Sequence, residues 1–164
     1  MVSKNQRLSY LMMLVASAVV INIVENLFIP PLQFGLRLGL ANIVALIVAS
    51  LFDIKALFAV NILRVIIASL FNGVIFNVAF WLSFTGVIFS SITISLAQVF
   101  RSSLLFTSLL SSLAHSFGQL FAIVVIYKDI HILYLIPVLV ITSLITGFIT
   151  YTIADKVLER LKRK

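Results

Sequence analysis

"YLMMLVASAVVINIVENLF", from Tyr10 to Phe28, is apolar over the length that crosses a bilayer core, and Glu25 is its one charged residue. About 20 such residues in a row predict a membrane-spanning helix. The rest of the chain has the same character, with 62% hydrophobic and 10% charged residues and a mean hydropathy of +1.23. Soluble domains do not have this composition. The sequence therefore predicts an integral membrane protein.

Five further apolar runs follow this segment along the 164 residues. Helices satisfy their own backbone hydrogen bonds in lipid, and the runs are too long for barrel strands of about ten residues. We therefore predict one all-α, polytopic membrane domain with a six-transmembrane-helix bundle. The second and third helices are short and form a hairpin around the turn "FDIK". The predicted helices cover approximately 10–28, 38–52, 56–71, 76–96, 106–126 and 133–153.

The N-terminal segment also has features of a signal peptide. Lys4 and Arg7 precede the apolar run, and "ASA" at 16–18 is similar to a cleavage site. Hydrophobicity continues past that point to Val24, as a spanning helix requires. We therefore expect the segment to remain as the first helix.

Basic residues predict the orientation of the helices. If six helices alternate, Arg37 and Lys128 lie on one side and nine basic residues lie on the other. Cytoplasmic loops carry the excess of lysine and arginine. We therefore expect a multi-pass cell-membrane protein with both termini in the cytoplasm. The net charge of +7 then reflects topology and contact with anionic membrane lipid, and no nucleic-acid partner is expected. The nine residues are Lys4, Arg7, Lys55, Arg101, Lys156, Arg160, Lys162, Arg163 and Lys164.

Several polar residues lie within or beside the predicted spans, where an ionisable group costs a few kcal/mol unless it is paired or hydrated. Counting along alternating helices places six of them in the middle and outer half of the bundle. We predict that they bind a small-molecule substrate, with Arg37 capping a cavity beside the Pro30-Pro31 break. The predicted substrate-binding residues are Glu25, Arg37, Asn42, Arg64, His115 and Gln119.

Structural roles are the alternatives for these residues. Glu25 and Arg37 could lie at the headgroups and pair with each other, and Arg64 could form a structural ion pair with Glu25. His115 and Gln119 lie four residues apart on one helix face. They could serve as hydrogen-bonding contacts between helices.

Motifs for catalysis are missing from the sequence. It contains no cysteine, no HExxH, no GxSxG and no P-loop lysine, so ATP hydrolysis by this chain is not expected. Asp53, Asp129 and Asp155 are isolated from one another, whereas magnesium-diphosphate chemistry needs clustered carboxylates. We therefore predict a protein that is not an enzyme and has no catalytic residue, metal site or cofactor.

Five strings of the sequence carry a family resemblance. They resemble, in order and spacing, the bacterial Gx transporter family, which is also labelled heptaprenyl diphosphate synthase component I. The similarity runs from about Glu25 to the C-terminus, and "LGLAN" and "AHSFGQL" are its most specific parts. The strings are "GLRLGLANIVAL" (35–46), "NILRVIIASLFNG" (61–73), "FWLSFTGVIFSS" (80–91), "LAHSFGQL" (113–120) and "PVLVITSLITGFIT" (137–150).

That family is similar to the substrate-binding S components of energy-coupling factor transporters. The resemblance implies a six-helix S component that captures a small molecule from outside. Its partners would be a transmembrane coupling protein and two ATPase subunits. The alternative is a non-catalytic membrane accessory subunit of prenyl diphosphate or quinone biosynthesis, without a solute site.

Overall fold

The computed structural model describes residues 4–28 and 39–162. Within these residues the chain is helical and contains no strand, which confirms the all-α prediction. A short 3-10 helix, Ile130–Leu135, lies between the last two α-helices. The α-helices are α1 (Lys4–Phe28), α2 (Asn42–Leu51), α3 (Ile54–Phe71), α4 (Val78–Val99), α5 (Leu104–Tyr127) and α6 (Ile136–Lys162).

Five of the described helical segments are long and apolar enough to cross a membrane. The exception is α2, whose 10 residues give a rise of about 15 Å, roughly half of a hydrocarbon core. The third helix was predicted to be short, but α3 has 18 residues and is long enough to cross a membrane. The second helix was also predicted to be short and to cover 38–52, and it is shorter still. Residues 39–41 form a turn instead. Gly39 adopts a φ of 77° there, a conformation that glycine takes without steric cost.

Two contacts show how the segment containing α2 runs through the bundle. The backbone N–H groups of Gly39 and Leu40 donate to Glu25, and Arg7 forms a salt bridge of 2.8 Å with Asp53. Glu25 and Arg7 lie about 27 Å apart along α1, at 1.5 Å per residue. The segment 39–53 therefore runs antiparallel to α1, from the level of Glu25 to the level of Arg7.

The beginning of α1 and the end of α6 lie at the same end of the bundle. Arg7 and Asp53 border one groove together with Val157 and Leu161 of α6. We call this the Arg7 end, and we call the opposite end of α1 the Glu25 end. A chain that crosses a membrane an even number of times begins and ends on the same side. Which side of the membrane this is stays a prediction.

Helix boundaries differ from the predicted ones because capping groups and backbone hydrogen bonds, not hydropathy, decide where helices begin and end. The side chains of Asp53, Asn77 and Ser103 accept backbone hydrogen bonds and begin α3, α4 and α5. Helix α6 continues beyond the predicted end at 153 to Lys162. Its last turns are charged but still make helical hydrogen bonds.

Glycines bring α4, α5 and α6 close together. A Cβ on Gly118 would lie 2.8 Å from the carbonyl oxygen of Thr85 and 3.0 Å from Cα of Gly86. A Cβ on Gly147 would lie 3.0 Å from Cα of Leu109. Small residues at such positions allow helix backbones to approach in membranes. Glycine at these positions therefore lets the three helices pack in close contact.

Candidate functional site

Glu25 lies near the C-terminal end of α1 and is 4% exposed. Its Oε1 accepts a hydrogen bond of 2.8 Å from the backbone N–H of Gly39, and its Oε2 accepts one of 3.0 Å from Leu40. Hydrogen bonds from backbone amides stabilise a carboxylate away from water. Glu25 therefore holds the turn that leads into α2.

Arg64 lies on α3, inside the bundle, and is 2% exposed. Its Nη2 donates to Oδ1 of Asn42 at 2.9 Å. Within the part of the chain that the structure describes, Nε and Nη1 of Arg64 and Nδ2 of Asn42 have no hydrogen-bond partner. Buried donors without acceptors are destabilising, and more so on a charged group. The arginine is thus held at one nitrogen, and two others remain able to donate.

His115 and Gln119 lie one turn apart on α5, and both are buried. His115 Nε2 and Gln119 Nε2 are 2.6 Å apart. The imidazole lies between two glycines, because a Cβ on Gly39 or Gly86 would come within 2.9 Å of its ring carbons. Larger residues at either glycine would displace the ring. The predicted shared face of His115 and Gln119 is confirmed.

Glu25, Arg64 and His115 border one enclosed cavity, together with Asn22 and Ser83. The space within the cavity that the centre of a water molecule can occupy is about 10 Å³. This is enough for one water. Asn42 bonds to Arg64 and Gln119 contacts His115 from just behind this wall. Five of the six predicted site residues therefore come together. The sixth, Arg37, lies outside the described residues.

A model of one protein family matches residues 14–157, described as heptaprenyl diphosphate synthase component I. The match covers most of the chain and includes all the site residues. The chain belongs to this family. The family resemblance predicted from the sequence is thereby confirmed. Searches of the curated proteins and of the solved structures found no match.

Asn61 is a polar residue beside the site that the predicted set of site residues does not include. It lies three residues before Arg64 on α3 and is 1% exposed. Its Nδ2 donates to the hydroxyl of Ser91 on α4 at 2.7 Å, and its Oδ1 has no partner among the described residues. The sequence contains a signal for it, because Asn61 and Arg64 are three residues apart in an apolar segment and therefore lie on one helix face.

Two larger grooves lie on the outer surface, away from the polar cluster. One, of about 640 Å³, runs between α1 and α3 and is lined by apolar side chains such as Leu11 and Leu63. The other, of about 1080 Å³, lies at the Arg7 end. The first groove is apolar, as the lipid-facing surface of a membrane protein ordinarily is, and the second carries the half-exposed Arg7–Asp53 pair. Polar groups that could orient a solute converge at the enclosed cavity.

Asp53, at the Arg7 end, is a charged residue that is exposed, unlike the buried Glu25 and Arg64. Its hydrogen bond to the Arg7 guanidinium, together with one from the backbone of Ala56, holds the pKa of its carboxyl below the usual range. The two side chains are about half exposed. In the described ranges, 4–28 and 39–162, no three His, Asp or Glu side chains form a group that could hold a metal ion.

Proposed function

We propose that this chain is the substrate-binding membrane (S) component of an importer of the energy-coupling factor type. It captures a small molecule from the extracellular side, and a transmembrane coupling protein with two ATPase subunits drives its release inside. In this proposal Glu25, Arg37, Asn42, Arg64, His115 and Gln119 form the substrate site. The protein is not an enzyme and carries no cofactor.

The observation that carries the proposal is that Arg64 is buried with incomplete hydrogen bonding. A guanidinium 2% exposed within an apolar bundle, with two nitrogens lacking an acceptor in the described chain, is a costly arrangement for a purely structural residue. Binding sites retain such groups because a ligand completes their hydrogen bonds. Four helices, α1, α3, α4 and α5, contribute polar side chains to the cavity beside Arg64.

The hydrogen bonds of the two buried charges also favour binding over a structural ion pair between Arg64 and Glu25. The bond from Arg64 goes to Asn42, and the bonds to Glu25 come from Gly39 and Leu40. Each charged group thus has a hydrogen-bond partner other than the opposite charge. A pair that existed to neutralise itself would use its best donors and acceptors on each other.

The family description favours one alternative, a non-catalytic membrane accessory subunit of prenyl diphosphate or quinone biosynthesis. Such a subunit would bind a soluble prenyl synthase at the membrane surface. It would have no need of an enclosed polar cavity, which is why we place transport first.

Affinity purification of the tagged chain from its own cells, in mild detergent, separates the two functions. The transport proposal predicts that two ATPases and a transmembrane protein co-purify, and that native mass spectrometry detects a bound small molecule. Arg64→Met should keep the protein partners and lose the small molecule. Recovery of a soluble prenyl synthase, with no ATPase and no solute, would overturn the transport proposal.

Orientation has its own test, because the chain contains no cysteine. Single cysteines at Glu159 and Asp129, both exposed, should react with a membrane-impermeant reagent from opposite sides of the cell membrane. Glu159 should react only from the cytoplasmic side. Reaction of both from one side would contradict the topology and the extracellular route to the site.

A further inference from the structure

The enclosed cavity is too small for the solute that an importer carries. It has room for one water, whereas pockets that hold small molecules have volumes of about 300–1,000 Å³. The cavity is lined by α1, by the turn at 39–41, and by α3, α4 and α5. One part of this wall therefore has to move before a solute can bind.

Three of the lining helices are fixed to one another. A Cβ on Gly118 of α5 would lie 3.0 Å from Cα of Gly86 on α4, so these two backbones are in close contact. Asn61 of α3 donates a hydrogen bond of 2.7 Å to Ser91 of α4. Close backbone packing and interhelical hydrogen bonds hold membrane helices together. The wall formed by α3, α4 and α5 therefore resists separation.

Helix α1 is the least enclosed of the five described spans. Only 22% of its apolar segment is buried, against 33–50% in the other four, and a groove of about 640 Å³ lies between α1 and α3. Elements with few buried contacts open at a lower free energy than the rest of a structure. The Arg7–Asp53 salt bridge holds the beginning of α1. Separation of α1 is therefore easiest at the opposite, Glu25 end.

Glu25 joins α1 to the turn that covers His115. Its two carboxylate oxygens accept hydrogen bonds from the backbone N–H groups of Gly39 and Leu40. Gly39 lies against the imidazole, because a Cβ on it would be 2.9 Å from Cδ2 of His115. The hydrogen bonds of Glu25 thus hold α1 and the turn together at the mobile side of the cavity.

We propose that Glu25 is a positioning residue that closes the cavity. Its bonds to Gly39 and Leu40 keep the turn against His115, and their release lets α1 move away from the turn at the Glu25 end. The opened wall then admits the solute, a role that rests on the proposed transport function. Glu25 acts on the site through the position of the turn.

A single-cysteine reporter measures the opening, because the chain contains no cysteine. Ser83 lines the cavity from α4 and is 7% exposed, so Ser83→Cys places a thiol where a reagent larger than water arrives only after opening. The probe is methyl methanethiosulfonate, on the purified full chain. Glu25→Ala removes both acceptors and should accelerate modification by about tenfold or more. Glu25→Gln keeps one oxygen and should give an intermediate rate.

Ser108→Cys is the matched control for general loosening of the bundle. Ser108 is 0% exposed and bonds to Gly147 of α6, away from Glu25. Its rate of modification should be the same with and without Glu25→Ala. An unchanged rate at Ser83→Cys, or an equal acceleration of both reporters, would overturn the closing role of Glu25.

Hydrogen exchange of the wild-type protein tests the same proposal without a change at Glu25. After correction for intrinsic rates, the amides of Gly39 and Leu40 should exchange at least about tenfold faster than those of 46–48 within α2, because the opening breaks their bonds without unfolding that helix. Exchange of both groups at one rate would contradict the proposal. Neither measurement uses a solute, so its failure is distinct from failure of the transport function, which the affinity purification tests.

Discussion

Two polar regions lie inside the bundle, and they differ in whether their hydrogen bonds are complete. In the hydroxyl seam between α5 and α6, Ser108 bonds to the carbonyl of Gly147 at 2.7 Å and to Thr150 at 2.8 Å. Ser143 bonds to Ser116 at 2.6 Å. The polar cluster is defined by Glu25, Asn42, Arg64, His115 and Gln119, and it retains donors that lack an acceptor in the described chain.

The difference separates packing from binding. A serine hydroxyl in a membrane helix can bond to a carbonyl of its own or a neighbouring helix, so it is tolerated without a ligand. A guanidinium has five donors and a charge, which one asparagine oxygen cannot satisfy. The hydroxyl seam thus explains why α5 and α6 pack together. Packing alone does not explain the polar cluster.

The largest expected effect comes from Arg64→Met, which keeps the length and apolar stem of the side chain but removes its charge and donors. We expect ligand binding to weaken by about 2 kcal/mol or more with little loss of stability, because the lost donors serve the ligand. Ligand retention and thermal unfolding of the purified protein measure the two quantities separately.

A double mutant with Glu25→Gln tests the structural alternative. If Arg64 existed to neutralise Glu25, removing it would strand a buried carboxylate and cost about 3–5 kcal/mol of stability. Adding Glu25→Gln would then restore much of that loss, which a double-mutant cycle detects. Such rescue would mean that the polar cluster, like the hydroxyl seam, is structural.

Glycine substitutions in the two regions come next in size. A Cβ on Gly86 meets His115, and a Cβ on Gly147 meets Leu109 and Ser112 in the hydroxyl seam, all at 2.9–3.2 Å. Each change to alanine should cost about 1–3 kcal/mol through overpacking. Gly86→Ala should also weaken ligand binding, because it displaces the His115 ring. If Gly147→Ala weakened binding equally, the two regions would not be functionally distinct.

Ser108→Ala should have a smaller effect and serves as the control for the polar cluster. It removes the hydroxyl that bonds to Gly147 and Thr150. Interhelical hydrogen bonds in membrane proteins contribute about 0.6 kcal/mol on average. We expect a slight decrease in unfolding temperature and unchanged ligand affinity. A loss of affinity would extend the site into the hydroxyl seam.

The sequence predicts the fold class and most of the polar cluster, for physical reasons that particular residues illustrate. Helical rise along alternating helices is enough to align Glu25, Arg64 and His115 in depth. The start of α2 at Asn42 was not predictable, because residues 39–41 have the hydropathy of a membrane helix and their turn depends on hydrogen bonds to the distant carboxylate of Glu25. The bond from Asn61 to Ser91 depends on which helices are neighbours. Hydropathy does not indicate which helices pack against each other.

The exposed salt bridge between Arg7 and Asp53 shows, for comparison with the buried Arg64 and Glu25, how much an ion pair in water contributes to stability. Asp53 is accessible to solvent and accepts from Arg7 at 2.8 Å, so Asp53→Asn should lower stability at neutral pH by the smallest amount of the series. Because the Asp53 pKa is lowered in the folded protein, its contribution is present above the unfolded value of about 3.9 and is lost as the pH falls through the lowered value.

The difference in unfolding temperature between wild type and Asp53→Asn should therefore be constant near neutral pH. It should decrease and disappear at acidic pH, below about 4, as the carboxyl of Asp53 is protonated. High salt should also reduce it at neutral pH, because exposed charges are screened. Arg64 should show no such salt dependence in its effect on ligand retention, since the bundle excludes the ions that screen an exposed pair. A strong salt effect there would mean that solvent reaches the polar cluster, which would contradict the enclosed position of Arg64 in the bundle.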